Sequence, residues 1–526
     1  MSWTKERLVD VARTRLNGAK LIVVSNREPY SHQSRNGTVE VVRAVGGLTA
    51  ALDPVMQACG GTWVAHGSGN ADRYFSDALG CVTVPPDDPS YKLRRVWLTP
   101  EQEQGYYYGF ANSTLWPLCH QVYQRPTFDP DHWAVYREVN ELFADKIADE
   151  AEGGPAIVFV QDYHFALLPR MLKNRRPDIT VAQFWHIPWP GAEMFGICPW
   201  TAEILDGMLG NDLLAFHIQN DCNNFLETVD RTIESRIIRE NFAVQYHGTE
   251  TRVRPFPISV DPALAKHYLG ANPDTRVEAF RKKHGLGDRP LLVGVDRVDY
   301  TKGIPERLRG LHRMLEQHPD LIGEFQFLQI GAPSRTQLPA YRQLNDEVRM
   351  LAEKINRTFG NDTWQPVKFL NEQHGPRDIY TLYRGAAGCV VSSLHDGMNL
   401  VAKEFVSARD DEQGTLVLSQ FTGAARELTD AILVNPFDVQ QVADGLHSAL
   451  TMSSAEQQRR MRRMRSRVEE NTIYRWAGRL LSEAAKLVDE GVPEEPPAAE
   501  PADEDGKPEV ISLAPPHRAY FEKNVV

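Results

Sequence analysis

The sequence predicts an α/β protein built on doubly wound, mostly parallel sheets. Two observations support this prediction. Short apolar runs rich in β-branched residues recur along the chain with helical segments between them, which is the pattern of strands buried on both faces. Most of these runs end in polar or glycine-containing segments, and the carboxyl edge of such a sheet is where ligands bind. With 526 residues the chain is long enough for two to three domains.

The first half of the chain supplies five predicted strands after a leading amphipathic helix. They cover residues 20–26, 62–66, 81–84, 155–160 and 180–185. A polar loop is expected over residues 28–42, with a flexible hairpin as the alternative, and a helix is expected from Gly46-Gly47 toward Cys59. The aromatic segment 106–117 is expected to form a turn and a short helix, which either packs in the core or presents aromatic faces to a sugar.

The second half of the chain begins another series of alternating predicted strands and helices. Prolines and an extended pattern at residues 252–262 indicate a crossing between domains. The strands predicted after it cover residues 290–295, 325–330, 367–370, 388–393, 415–419 and 432–435. The predicted helices cover residues 304–317, the segment from Asn399 onward, 453–468 as a solvated basic helix, and 474–487.

The composition narrows the classes of partner. A formal net charge of −12 argues against nonspecific binding to nucleic acid or to a membrane. The six cysteines are scattered without CxxC spacing, so they suggest neither a disulfide framework nor a zinc site. The sequence has no signal-peptide core and no run of about 18 apolar residues, which predicts a cytoplasmic protein with reduced thiols.

Two cations follow a predicted strand in the second half. Arg297 and Lys302 lie at the strand exit before a helix, where a planar guanidinium and a point charge would suit a diphosphate. The alternative is a pair of solvated surface cations near Asp296 and Asp299. Arg335 is a further arginine at a strand exit.

The segment 394–405 is the strongest single candidate for a ligand-binding turn. It joins a strand to a helix, and it places Asp396, the amide of Gly397 and a helix N-terminus at the carboxyl edge of the sheet, where anions are favoured. Glu404 would point back at the same ligand. The alternative is a plain turn whose acid caps a buried helix.

Polar residues also follow strands in the first half. Asp162 and His186 could orient the hydroxyls of a polar substrate, or they could be a helix cap and a satisfied core histidine. The pair Gly46-Gly47 could bring backbone amides to a phosphate, or it could belong to the hairpin.

Taken together and in order, these motifs resemble those of trehalose-6-phosphate synthases over residues 20–487. The motifs that carry the resemblance are Ser25-Asn26-Arg27, Gly46-Gly47-Leu48, Tyr106-Tyr107, Leu115-Trp116-Pro117, Asp162-Tyr163-His164, His186-Ile187-Pro188, Arg297 to Gly303, Asp396 to Glu404, Leu418-Ser419 and Asn435-Pro436. The resemblance implies a GT-B fold, in which two Rossmann-like domains face one another and a last helix crosses back to the first. The expected organisation is an N-terminal helix (1–18), a first domain that binds the acceptor (19–257), a second that binds the nucleotide sugar (258–472), the return helix (473–490) and a disordered acidic tail (491–526).

The resemblance also implies a role for each matching residue. The implied donor-binding residues are Gly47, Arg297, Lys302, Asp396, Gly397, Met398, Asn399, Leu400, Val401 and Glu404. The implied acceptor-binding residues are Arg27, Tyr107, Trp116, Asp162, His186 and Arg335. Of these, Arg297, Lys302, Asp396 and His186 would take part in catalysis. No cofactor and no metal are expected.

The implied reaction moves glucose, with retention, from a nucleoside diphosphate glucose, expected to be UDP-glucose, to glucose 6-phosphate. Three alternatives stay open. The donor nucleotide could be GDP or ADP, and the acceptor could be glycerol 3-phosphate or a cyclitol phosphate. The chain could also be a noncatalytic sensor of sugar phosphates. Three features depart from the family pattern, namely His66 where tryptophan is common, His395 where arginine is common, and the loop Glu28-Pro29-Tyr30. A homodimer and a homotetramer are both compatible with the resemblance.

Overall fold

The computed structural model describes residues 3–16, 18–44 and 47–490. Gly46 and the predicted tail therefore lie outside the described residues. The strands of the first half are β1 (Lys20–Arg27), β2 (Tyr30–Arg35), β3 (Thr38–Arg43), β4 (Thr62–His66), β5 (Cys81–Val84), β6 (Tyr91–Val96), β7 (Ala156–Gln161), β8 (Thr180–Phe184), β9 (Leu213–Phe216), β10 (Arg236–Ile238), β11 (Ala243–Tyr246) and β12 (Thr249–Pro255). Those of the second half are β13 (Leu291–Arg297), β14 (Gln326–Ala332), β15 (Val367–Leu370), β16 (Gly388–Val391), β17 (Thr415–Ser419) and β18 (Ile432–Val434).

Helices alternate with these strands. Those of the first half are α1 (Lys5–Arg15), α2 (Gly47–Cys59), α3 (Pro100–Glu103), α4 (Trp116–His120), α5 (Pro130–Glu150), α6 (Leu168–Arg175), α7 (Ala192–Phe195), α8 (Thr201–Met208) and α9 (Gln219–Thr232). Those of the second half are α10 (Pro262–Leu269), α11 (Pro273–Lys283), α12 (Ile304–Gln317), α13 (Pro339–Phe359), α14 (Pro376–Gly385), α15 (Leu400–Ala408), α16 (Val439–Thr451), α17 (Ser454–Glu470) and α18 (Ile473–Glu490).

The strands form two large sheets. The first has ten strands in the order β10-β11-β12-β9-β8-β7-β1-β4-β6-β5, and its centre from β12 to β6 is parallel. The second has the order β15-β14-β13-β16-β17-β18 and is parallel throughout. In each sheet the winding reverses beside a central strand, β1 in the first and β13 in the second. A crevice opens at the carboxyl ends of the strands at such a point, and the candidate residues follow these strands.

The last helix returns to the first sheet. Helix α18 packs against α1, α2, β7 and β8. Its Trp476 ring lies with a centroid 5.1 Å from that of Phe184, and the Tyr474 hydroxyl donates to Asp261 at 2.8 Å. The predicted domain boundary at residues 257 and 258 falls between the end of β12 and the start of α10, and it stays a prediction. In the described part of the chain, no helix has both the length and the apolar character needed to cross a bilayer.

Two local predictions were wrong. The loop predicted over residues 28–42 is the hairpin β2–β3, closed by Asn36-Gly37 with both residues at positive φ, which is a turn signal that the prediction overlooked. The aromatic segment is a π-helix, Gln104–Leu115, and not a turn. The extended segment predicted as a crossing between domains begins within β12, which pairs with β9, and the crossing itself stays a prediction. Four strands, β6 and β9 to β11, were not predicted.

Candidate active site

The carboxyl ends of the two sheets meet across a cleft, and hydrogen bonds join its two sides. His395 Nδ1 lies 2.9 Å from the carbonyl oxygen of His120. Arg335 donates from Nη2 to the Tyr163 hydroxyl at 3.2 Å. The two halves of the chain therefore build one site.

The first sheet contributes an arginine and a phenol at the end of β1. Arg27 donates from Nη2 to the Tyr107 hydroxyl at 3.2 Å, and the π-helix places Tyr107 there. Burial alone would raise the pKa of the Tyr107 phenol, but Arg335, Arg27 and Arg297 lower that pKa to about 7. The cations therefore create a pocket with a strong preference for an anion.

Arg335 comes from the second sheet and completes this pocket. Its guanidinium lies 4.2 Å from the centre of the Trp116 ring. It also pairs with the buried Asp299 carboxylate at 3.1 Å and donates to the Tyr341 hydroxyl at 2.6 Å. The backbone of Arg335 has a φ of 46°, an uncommon conformation that costs energy and that often marks functional positions.

Asp162 and His186 are neighbours at the ends of β7 and β8. The Asp162 carboxylate accepts from the His186 backbone N–H at 3.1 Å, and its own backbone is strained, with φ 73° and ψ 176°. Burial raises the pKa of Asp162 to about 7. His186 Nε2 lies 2.9 Å from Gln161 Oε1, and burial holds the pKa of the imidazole well below 6.5.

The loop before α15 contains an ion pair. Lys302 Nζ lies 2.5 Å from Asp396 Oδ2, which also accepts from Asn399 Nδ2 at 3.1 Å and from the Ser393 hydroxyl at 3.2 Å. Burial alone would raise the pKa of Asp396, but Lys302 and these hydrogen bonds bring that pKa down to about 2. The Asp396 carboxyl is therefore ionised at neutral pH.

The N-terminus of α15 is held open toward the cleft. Asn399 caps the helix through its side chain, which accepts from the Ala402 N–H at 3.2 Å. Met398 is buried, Leu400 and Val401 begin the helix, and the first N–H groups of a helix have no partner within it. This end of the helix therefore favours an anion.

Arg297 remains available for a ligand. Its guanidinium lies 5.7 Å from the centre of the Trp116 ring, on which Arg335 also lies. The Arg297 side chain makes neither a hydrogen bond nor an ion pair with any described residue. One indole therefore contacts a cation from the predicted donor set and a cation from the predicted acceptor set.

Gly47 has open space beside its backbone. It starts α2 at a φ of 63°, and an added Cβ would find no atom within 4 Å. The helix behind it is fixed, because Asp53 accepts from the hydroxyls of Tyr30 and Tyr91 and from Arg43, at 2.9, 2.7 and 2.6 Å.

The three departures from the family pattern have different surroundings. His395 bridges the cleft, as described above. Glu28 forms a buried pair with Arg95 at 2.7 Å and accepts from the Ser68 N–H. His66 is largely buried, and burial lowers the pKa of its imidazole to about 4.

Sequence reasoning missed the residues that hold the arginines. Asp299 and Tyr163 stood within the quoted motifs but received no role, and Tyr341 received no attention. Their contacts with Arg335 span 36, 172 and 6 residues, so only the strand-exit position of Asp299 and Tyr163 could have drawn attention to them. Across the described ranges, no group of three or more His, Cys, Asp or Glu side chains is arranged to hold a metal ion.

Glu404 offers a test of the donor side that needs no substrate. Burial raises the pKa of this carboxyl to about 7, and no described residue donates a hydrogen bond to it. The folded protein therefore loses stability between pH 4.5 and 7, because the unfolded chain ionises this carboxyl in that range while the folded protein keeps it protonated. We expect Glu404→Gln to stabilise the free protein by up to about 3 kcal/mol above pH 7 and by nearly nothing below pH 4.5.

Thermal unfolding of the two proteins at pH 4.5 and pH 8 measures this difference. The exposed Glu278 provides a matched control, since Glu278→Gln removes a carboxylate that water already solvates. A Tm gap that does not change with pH would contradict the burial of a lone carboxylate.

Comparison with known proteins agrees with the geometry. The model of glycosyltransferase family 20 matches residues 19–486. The trehalose-6-phosphate synthase of Mycolicibacterium vanbaalenii is 38% identical over 480 residues, which are 90% of this chain and 97% of that protein. The trehalose-6-phosphate synthase of Mycobacterium tuberculosis is 37% identical over 474 residues, or 88% and 94% of the two chains.

Solved structures give the same result. The α,α-trehalose-phosphate synthase (UDP-forming) from Burkholderia xenovorans, in complex with glucose 6-phosphate, matches with a TM-score of 0.79 at 29% identity, over 89% of this chain and 100% of that one. An E. coli structure bound with UDP-2-fluoro glucose also has a TM-score of 0.79, at 30% identity, over 89% and 99% of the two chains.

Two Rossmann-like sheets that face one another across a cationic cleft, with a last helix returning to the first sheet, define the GT-B class of fold. The predicted fold class is therefore confirmed. The chain belongs to glycosyltransferase family 20, which confirms the predicted family.

Proposed function

We propose that this chain transfers glucose, with retention, from UDP-glucose to glucose 6-phosphate and so forms α,α-trehalose 6-phosphate and UDP. One observation carries the proposal most directly. The Trp116 ring lies against Arg297, which belongs to the diphosphate side, and against Arg335, which belongs to the sugar-phosphate side. Two anionic substrates bound to these cations would meet at one place.

The relatives support this choice of substrates. The structure from Burkholderia xenovorans holds glucose 6-phosphate, and the E. coli structure holds an analogue of UDP-glucose. On this chain the donor diphosphate would bind Arg297, Lys302 and the N-terminus of α15, with Gly47 approaching from the opposite sheet. Glu404 would accept from the ribose hydroxyls.

The proposed transfer of glucose depends on stabilising the charge of the leaving diphosphate. As the bond to the anomeric carbon breaks, negative charge grows on the leaving diphosphate, and fixed cations stabilise that charge. Arg297 and Lys302 would supply the cations, while Asp396, already ionised, orients Lys302 and meets the donor glucose. The acceptor hydroxyl can pass its proton to the departing diphosphate on the same face, which needs no second carboxylate nucleophile.

The acceptor would lie on the opposite wall. Arg27, Tyr107 and Arg335 would bind the 6-phosphate, since two guanidinium groups match a phosphate dianion in charge and hydrogen-bond geometry. Trp116 would form the wall beside the sugar. Asp162 and the neutral imidazole of His186 would hold sugar hydroxyls.

Release of nucleoside diphosphate by the purified protein tests the whole proposal. UDP-, GDP- and ADP-glucose would each be paired with glucose 6-phosphate and with glycerol 3-phosphate. We expect UDP release with glucose 6-phosphate and a nonreducing disaccharide phosphate as the product. Release of nucleoside diphosphate only with glycerol 3-phosphate would show that glycerol 3-phosphate is the acceptor. Release with none of the pairs would favour a noncatalytic sensor of sugar phosphates.

The Arg27→Ala variant tests which side of the cleft binds the acceptor. Because Arg27 lies on the acceptor side, we expect the KM for glucose 6-phosphate to rise by about 10- to 100-fold, the value of a charge-assisted hydrogen bond, and the KM for UDP-glucose to change little. Steady-state kinetics with each substrate varied in turn measures both constants. A larger rise in the donor KM would reverse the assignment of the walls.

The proposal also covers the cellular location of the reaction and the use of its product. A cytoplasmic location is supported by six cysteines that are all free thiols. A nonreducing disaccharide made in this way would suit osmoprotection, because such solutes are excluded from protein surfaces.

A further inference from the structure

His164 is a buried histidine that no role has yet used. It lies in the turn Tyr163–Phe165, just beyond the strained Asp162, and only 9% of its surface is exposed. Its backbone carbonyl accepts from Asn140 Nδ2 at 3.2 Å. Its ring is different, because Nε2 is fully enclosed and neither ring nitrogen has a hydrogen-bond partner among the described residues.

The ring lies inside the anion pocket. It stacks on Tyr107 with an angle of 10° between the planes and 5.8 Å between the centroids. The centroid of the Tyr163 ring lies 4.1 Å from that of the imidazole. The hydroxyls of these two tyrosines accept from Arg27 and from Arg335, so the imidazole contacts two phenols that are each bound to a cation.

The lack of a partner has an energetic cost. A buried nitrogen that loses its hydrogen bond to water costs about 1–3 kcal/mol, whereas an apolar ring of the same shape would stack equally well without that cost. The neighbouring Phe165 is such a ring. Nε2 has no surface that a ligand could reach, so a hydrogen bond to a ligand would come from Nδ1, which is not among the enclosed atoms.

The charge state of the ring fits a phosphate ligand. Burial, and after it Arg335 and Arg27, hold the pKa of His164 well below 6.5, so the ring is neutral and keeps one N–H donor. The two arginines already match the charge of a phosphate dianion. A neutral N–H would add a hydrogen bond without adding a third positive charge.

We propose that His164 donates its Nδ1–H to the phosphate of the acceptor and completes the set formed by Arg27, Tyr107 and Arg335. The inference rests on the proposed function, since it assumes a sugar phosphate in this pocket. It assigns a further acceptor-binding residue from the buried, unpartnered imidazole and its contacts with the two arginine-bound tyrosines.

A matched set of variants separates hydrogen bonding from stacking. His164→Phe keeps an aromatic ring without an N–H, His164→Leu removes the ring in case phenylalanine is too large, and His164→Gln keeps an N–H donor without the ring. Isothermal titration with glucose 6-phosphate gives the affinity of each protein. We expect the phenylalanine and leucine variants to bind at least about tenfold more weakly and the glutamine variant to recover part of the loss.

Two further measurements exclude a purely structural role. The Tm of the free His164→Phe protein should equal or exceed that of the wild type, because an unpaired buried nitrogen has been removed. The affinity for UDP should not change. A lowered Tm together with weakened UDP binding would mean that His164 only supports the fold, and the assignment would be wrong.

Competition with inorganic phosphate locates the contact. The inhibition constant of phosphate should rise by the same factor as the dissociation constant of glucose 6-phosphate. If only glucose 6-phosphate is weakened, or if phosphate does not compete in the wild type, the contact is not to phosphate and the proposal is overturned.

The proposed function and this inference fail in different ways. If the wild-type protein binds no sugar phosphate, the proposed function fails. If the wild type binds glucose 6-phosphate and His164→Phe binds it equally well, the function stands and an ordered water, or nothing, satisfies the imidazole.

Discussion

Arg297→Ala is expected to lower kcat by about 100- to 1,000-fold, the range found when one group that stabilises a developing anion is removed. The Arg297 side chain makes no hydrogen bond or ion pair to any described residue, so its loss leaves no partner unsatisfied and the fold should persist. The variant would give up its cation–π contact with Trp116 and the effect of its charge on the buried Tyr107, Asp162 and Asp299, but no hydrogen bond of its side chain to a described residue. Turnover should therefore fall far more than stability.

The measurement is UDP release under saturating substrates, together with the Tm. Arg309→Ala is a matched control, because Arg309 lies on α12 with nearly half of its side chain exposed and pairs only with Glu306 and Glu347 among the described residues. That variant should keep wild-type turnover. If Arg297→Ala also keeps it, the diphosphate does not bind where the cations of β13 place it.

The location of the site could be predicted from sequence because it depends on a local pattern. An apolar run followed by a charged or glycine-rich segment identifies the end of a parallel strand, and ends of neighbouring strands share one edge. This rule alone is enough to predict that Arg297, Arg335 and Asp396 lie along the same edge. The helix start at Asn399 followed from its capping side chain, which the structure shows.

The supporting contacts could not be predicted, because they join distant parts of the chain. The bond from His395 to His120 spans 275 residues, and nothing in either segment specifies the other. Strand β6 was missed for a related reason. It carries Arg95, which is tolerated in the interior only because Glu28 lies against it, 67 residues away in sequence.

The π-helix that carries Tyr107 could not be predicted for the same reason. A π-helix is far rarer than an α-helix, and it persists where tertiary packing favours it. Here Asn112 donates back to the Tyr107 carbonyl at 2.7 Å and accepts from the Tyr163 hydroxyl at 2.9 Å. The local sequence gives only the aromatic concentration, whereas the choice of helix type depends on residues from another element.

Gly397→Ala is expected to reduce kcat by about 100-fold through a single added methyl group. Gly397 lies where the loop before α15 meets the first sheet, and an added Cβ would overlap the His186 carbonyl oxygen and come within 2.9 Å of His217 Cδ2. Both atoms follow strands of the first sheet, so the loop or the whole face must move. Displacing a reacting group by about 1 Å can cost about 100-fold in rate.

The loss should appear in kcat more than in either KM. Asp396 and the N-terminus of α15 would remain intact as binding groups, while their distance from Asp162 and His186 increases. Initial rates with each substrate varied in turn separate these constants. Binding of UDP alone should change less than kcat, because Arg297, Lys302 and the N-terminus of α15 all belong to the second sheet and stay in place.

Gly287→Ala is the control for a glycine substitution in a loop. Its added Cβ would meet only Arg289 Nη1, at 3.6 Å, and the backbone there does not have a positive φ. This variant should keep the wild-type kcat. Wild-type turnover in Gly397→Ala would show that the two faces need not approach as closely as the His186 carbonyl and Gly397 do here, and that retaining transfer tolerates a wider cleft.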